Sequence, residues 1–143
     1  MLILDTANIL GSRPDGWWRD RAGATERLIE QVAAAIVAGR LVPPVVAVLE
    51  GRARAASGAG ATDGLLLVRA SASGDEAVVE VAAAALGKGS AVTVVTADRE
   101  LTQRVRRLGA AVEPPGELLD GLAPVRPPGQ VRPRGAVPPG GGA

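Results

Sequence analysis

Four stretches of this chain are apolar almost without interruption: Leu2-Ile3-Leu4, Val45-Val46-Ala47-Val48-Leu49, Leu65-Leu66-Leu67-Val68 and Val92-Thr93-Val94-Val95. A strand with one wet face alternates polar and apolar residues. Runs like these therefore suit strands buried on both faces, as in parallel sheets covered by helices. The intervening segments supply the helices. Thr25 is placed to cap a helix from about Glu26 to Ala38, whose Leu28, Ile29, Val32, Ala33 and Ile36 share one face before Gly39 stops it. Asp75-Glu76 opens a second helix through Leu86, closed by Gly87 and Gly89, and a third runs from about Arg99 to Leu108 before Gly109. Ala110-Ala111-Val112 offers a short fifth strand. Strands taken in turn with helices predict an α/β fold, a three-layer sandwich around a parallel sheet of about five strands.

Composition narrows the chemistry. The 143 residues suit one domain, and 47% hydrophobic content is enough to bury a core. With no Phe or Tyr and one Met, that core must be built from Ala, Val, Leu and Ile, with Trp17 and Trp18 as its only aromatic neighbours. The absence of Cys and His excludes disulfides, thiolate nucleophiles, Ser-His-Asp chemistry and His- or Cys-based zinc sites. Any metal site must use oxygen ligands. No apolar run reaches the ~18 to 20 residues of a membrane span, and the N-terminus does not read as a secretory signal, so the expected compartment is the cytoplasm, with no membrane partner. Residues 1–122 form the expected domain. Residues 123–143 carry six Pro, five Gly, Arg126, Arg132 and Arg134 with no acid, and are expected to be a disordered tail. Setting those three Arg aside leaves 13 bases against 15 acids, so the body is near −2 and the tail +3. A body of that charge is no generic nucleic-acid binder, and RNA contact must come from a local patch or the tail.

The acids fall in a pattern. Ligands of an open parallel sheet bind beyond the carboxyl ends of its strands. Asp5 ends the first strand, Glu50 follows the second, Asp98 stands shortly past the fourth, and Asp75 lies in the first turn of the helix after the third. Four separate segments thus bring carboxylates to one rim, where they repel one another unless a cation neutralises them. Oxygen-only ligands suit Mg²⁺ or Mn²⁺, which can activate water and brace phosphate oxygens. Asp98 and Asp75 also stand where helix caps stand, and Glu50 beside Gly51 suits a turn. Asn8 can cap a turn, orient a carboxylate or meet a phosphate. Asp5 has no capping role in view.

With these residues in place, the chain resembles the PIN-like nuclease superfamily, and most closely its NYN branch. The resemblance rests on Asp5-Thr6-Ala7-Asn8 after an apolar strand, Gly74-Asp75-Glu76 opening a helix, and Val94-Val95-Thr96-Ala97-Asp98, in that order across about residues 1–113. Thr6-Ala7 stands where the family often has Gly and an aromatic residue, and Glu76 where it usually has a second Asp. The resemblance implies sheet order 3-2-1-4-5 and a metal-dependent ribonuclease with Asp5, Asp75 and Asp98 as metal ligands. Asn8 and Thr96 would shape the site. In such a mechanism Glu76 or Glu50 is the expected proton acceptor.

The segment Gly11 to Arg21 adds Trp17, Trp18 and Arg19 as candidates for stacking on a base and pairing with phosphate, although a Trp can equally lie as a lid on the small-residue core. RNA is the expected partner, and a second copy of the chain is a further candidate. Two other functions compete. One is a metal-dependent phosphohydrolase acting on nucleoside triphosphates or small phosphate esters, although no G-x-x-x-x-G-K-[ST] loop is present. The other is a non-catalytic module that uses the fold to bind RNA or protein.

Overall fold

The computed structural model describes residues 1–13, 16–58 and 63–122. The expected tail over 123–143 and the side chain of Trp17 lie outside the described residues. Five strands, β1 (Leu2–Asp5), β2 (Val45–Leu49), β3 (Leu65–Arg69), β4 (Thr93–Val95) and β5 (Ala111–Glu113), form one all-parallel sheet in the order β3-β2-β1-β4-β5. The helices are α1 (Thr6–Gly11), α2 (Arg21–Val37), α3 (Gly74–Gly87), α4 (Arg99–Leu108) and α5 (Pro115–Leu122), with 3₁₀ turns at Trp17–Arg19 and Gly51–Ala55. No helix among the described residues is long and apolar enough to cross a membrane.

Alternation along the strands divides the core. Leu4, Val45, Ala47, Leu49 and Val95 join α1, α2 and α5 on one face, with Leu28, Ile29, Val32 and Leu118. Ile3, Val46, Val48 and Val94 face α3 and α4 on the other, with Val78, Ala82, Leu101 and Val105. All five residues of β2 are buried, as a strand covered on both faces requires. The edge strand β3 is less covered, and Leu66 is exposed there.

Helix starts and ends depart from the sequence expectation at three places. The helix expected from Glu26 begins at Arg21, because Asp20 is its N-cap and accepts from the Gly23 N–H at 2.9 Å. Thr25, expected as the cap, is buried one turn inside, where its hydroxyl donates to the Arg21 carbonyl. The short helix α1, over a segment for which the sequence pattern predicts no element, continues directly from β1. Beyond the fifth strand, Pro115 starts α5, a first-turn position that suits proline.

Gly64 leads into β3 at φ +89°, and its carbonyl accepts from the Val45 N–H at 2.8 Å. A Cβ there would stand 2.7 Å from that of Pro43. Gly64→Ala should therefore lower stability by about 1 kcal/mol or more, through both backbone strain and contact. A reduced urea midpoint at unchanged slope is the expected readout.

Candidate functional site

The strand order reverses direction around β1, so the crevice at the carboxyl ends of β1 and β4 is the topological switch point of the sheet. Asp5 stands there, 4% exposed. Its Oδ2 accepts from the Thr96 hydroxyl at 2.9 Å, and that same hydroxyl oxygen accepts from the Asp98 N–H at 3.1 Å. Asn8 Oδ1 accepts from the Ala97 N–H at 2.7 Å. Two side chains from the β1–α1 segment thus fix the loop that follows β4. The buried Thr6 hydroxyl fastens the same segment on its other side by donating to the Val48 carbonyl.

Two further acids reach the rim from the β2 and β3 side. Glu50 Oε2 accepts from the Gly74 N–H at 2.9 Å and so holds the first residue of α3. Asp75 follows directly in the first turn of that helix. Gly74 is needed for this approach, since a Cβ there would lie 2.8 Å from Glu50 Oε1. Asp98 caps α4 by accepting from the Leu101 N–H at 2.8 Å.

Charge follows this placement. Burial raises the Asp5 carboxyl to about 6, opposed by the Thr96 hydrogen bond, reinforced by the charge of Asp75, opposed again by the Asn8 backbone N–H, and reinforced by Glu50. Asp75 is also raised, first by burial and then by the charges of Asp98 and Glu50, while Arg104 opposes the shift. Glu76 behaves differently. It is exposed, forms an ion pair with Arg104 at 2.7 Å, and is held below the usual carboxylate range by that hydrogen bond and charge.

The structure therefore draws Asp5, Asp75, Asp98 and Glu50 into one electrostatic neighbourhood with Asn8 and Thr96. It turns Glu76 toward α4. Trp18 is 56% exposed and so does not lie as a lid, and the Arg19 guanidinium sits 5.8 Å from the centre of its ring. Neither residue lines the two clefts that flank α1 beside the acids.

Several carboxylates and one amide, with no His or Cys to compete, match a hard divalent cation in donor type. As they stand, no group of three acids among the described residues forms a ready-made metal cage. A cation would have to draw the side chains inward.

No protein-family model matches this sequence, and no curated protein does. Among solved structures, the fold is similar to that of Rae1 (YacP) from Bacillus subtilis. A mutant form of that protein superposes with a TM-score of 0.65 at 18% identity, covering 85% of this chain and 73% of the other. The form without that mutation gives 0.63 at 18% identity, over 85% and 72%. The likeness is one of fold.

The raised Asp5 carboxyl has a consequence for stability. It titrates near 6 in the folded protein and near 3.8 as an ordinary aspartate, so between those values the fold holds more protons and loses stability as pH rises. Above that window the buried charge costs roughly 1 to 3 kcal/mol. Asp5→Asn should raise the melting temperature at pH 7.5 without added divalent ions, and the gain should vanish near pH 4. An unchanging difference across that range would contradict the burial of a charge at this position.

Proposed function

We propose that this chain is a PIN-like, NYN-type metal-dependent ribonuclease that hydrolyses RNA phosphodiester bonds at the Asp5 rim with Mg²⁺ or Mn²⁺. The observation that carries the reading is the buried Asp5 at the switch point, its charge coupled to Asp75 and Glu50 from two other segments. The ordered Asp5/Asn8, Asp75 and Thr96/Asp98 motifs support it, as does the sheet order they share.

Asp5, Asp75 and Asp98 would hold the cation. When bound, it supplies Lewis-acid stabilisation of phosphate oxygens and acidifies water. The chain's own residues set the geometry. Thr96 locks one Asp5 oxygen, so the carboxylate cannot swing away when substrate arrives. Asn8 has its carbonyl oxygen fixed by Ala97, which leaves its amide N–H groups to donate to a phosphate oxygen. Glu50 keeps the start of α3, and with it Asp75, against the rim. Glu76 is engaged with Arg104, which takes it out of the proton-acceptor role as the side chain stands.

The direct test is cleavage of single-stranded RNA with and without EDTA, beside release of phosphate or pyrophosphate from nucleoside triphosphates. RNA should be cut only with Mg²⁺ or Mn²⁺. Asp5→Asn and Asp98→Asn should each lower kcat/KM at least about a hundredfold, more than positioning groups around a metal usually cost. Asn retains the cap at position 98, so the α4 helix should survive that change. Full activity in either variant, or in EDTA, would refute the mechanism, and phosphate release without RNA cleavage would favour the small-ester reading.

Gly74→Ala offers a subtler probe. Its Cβ collides with a flexible carboxylate rather than with backbone, so stability should change by less than about 1 kcal/mol. Activity should fall about tenfold or more as Glu50 leaves Gly74 and the start of α3 shifts. Unaltered turnover would remove Glu50 from the positioning role.

A further inference from the structure

Two clefts open on either side of the first turn of α1, and Ala7 lines both. The first, about 240 Å³, lies between α1, the start of α2 and the 51–55 turn. Ala7, Leu10 and Ala53 give it apolar walls, and Arg21 and Glu50 give it charge. The second, about 330 Å³ and more open, is lined by Ala7, Asn8, Gly11, Ser12 and Ala97.

Both are joined to the acid rim by interactions already described. Glu50 lines the first cleft and bonds to Gly74 beside Asp75. Asn8 and Ala97 line the second and bond to each other one residue from Thr96 and Asp98. Each cleft is therefore tied to the acid rim through a residue that lines it, and Ala7 lies between the two. The first cleft is smaller than the ~300 to 1,000 Å³ of sites that enclose drug-sized ligands, so it suits one flat ring system rather than a whole nucleotide. Apolar walls match the faces of such a ring, a carboxylate matches an exocyclic amine at its edge, and the Arg21 side chain that lines the cleft adds a guanidinium plane on which a base can stack.

We infer that the cleft bounded by Ala7, Leu10, Arg21, Glu50 and Ala53 is a subsite for one unpaired nucleobase, and that the second cleft takes the sugar-phosphate of the adjoining nucleotide. The inference rests on the ribonuclease reading and deepens it. A base paired within a duplex cannot enter the cleft, so the substrate is single-stranded at the cut. Ala7 sets the passage between the two clefts through its small size.

The test uses the full chain carrying Asp5→Asn, with Mn²⁺, and fluorescence anisotropy of a labelled hexa-adenylate against an abasic strand of the same length. The base-bearing strand should bind about ten- to a hundredfold more tightly. Adding Ala7→Leu, a partly exposed helical position that lines both clefts, should erase that advantage by weakening hexa-adenylate binding more than abasic binding. Should that variant fold poorly, Arg21→Gln at an exposed position should weaken hexa-adenylate binding more than abasic binding. Equal affinity for both strands, no binding of either, or an advantage untouched by these changes would overturn the subsite. Cleavage by the native chain is scored separately: cleavage with no base-dependent binding refutes the subsite alone, and base-dependent binding with no cleavage refutes the nuclease alone.

Discussion

A carboxylate buried at the end of the central strand is the constraint around which this molecule is arranged. The cost of removing Asp5 from water is met only in part, by one hydroxyl and one backbone amide, while two neighbouring acids add to it. Asp5 also holds the N-cap position of α1, a place that suits an acid, yet its carboxyl is raised all the same. Strain of this kind persists where surrounding structure over-determines the geometry, and the surroundings do so. Thr6 ties the segment to β2, Thr96 and Asn8 tie it to the loop after β4, and Glu50 pins α3 across the rim. Every one of these tethers joins residues distant in sequence, so the site exists only once the sheet has formed.

The core explains how helices come close enough to hold that geometry. Without Phe or Tyr, the helix faces carry many Ala beside Leu, Ile and Val. Ala24, Ala33 and Ala35 on α2, and Ala82 and Ala85 on α3, are all buried. Small side chains let a helix axis approach a sheet closely, and they have little rotamer freedom to lose on burial. They also provide little apolar area per residue, so stability depends on two faces being filled together. The sheet supplies both, because Val46 and Val48 pack on one side while Val45, Ala47 and Leu49 pack on the other.

The sheet was legible in the sequence because its strands are apolar on both faces, a pattern that local composition alone reveals. Helix boundaries were less so. Thr25 and Asp20 both fit a cap, and the choice between them turned on Gly23, whose missing side chain lets the Asp20 carboxylate reach the helix start. At the site, the positions of Asp5, Asn8, Asp75 and Asp98 followed from strand ends. The partition between Glu50 and Glu76 did not, since it depends on Arg104, which lies one helix away from Glu76 and 28 residues along the chain. Side-chain pairing of that kind leaves no periodic trace.

The β1–α1 junction also divides labour between the two layers of helices. Strand alternation carries Asp5 toward the α3 and α4 side, the face that Ile3 shares, whereas Leu10 packs on the α2 side. Asp5, Asp75 and Asp98 therefore gather toward α3 and α4, apolar cleft walls gather against α2, and Glu50 reaches both. With the proposed divalent cation on the acids, a ligand that uses both would be anionic at one point and flat and apolar at the next. Nucleotide units linked by phosphodiester bonds have that alternation built into their repeat, and a single strand can present both features to one edge of a sheet without first being unwound.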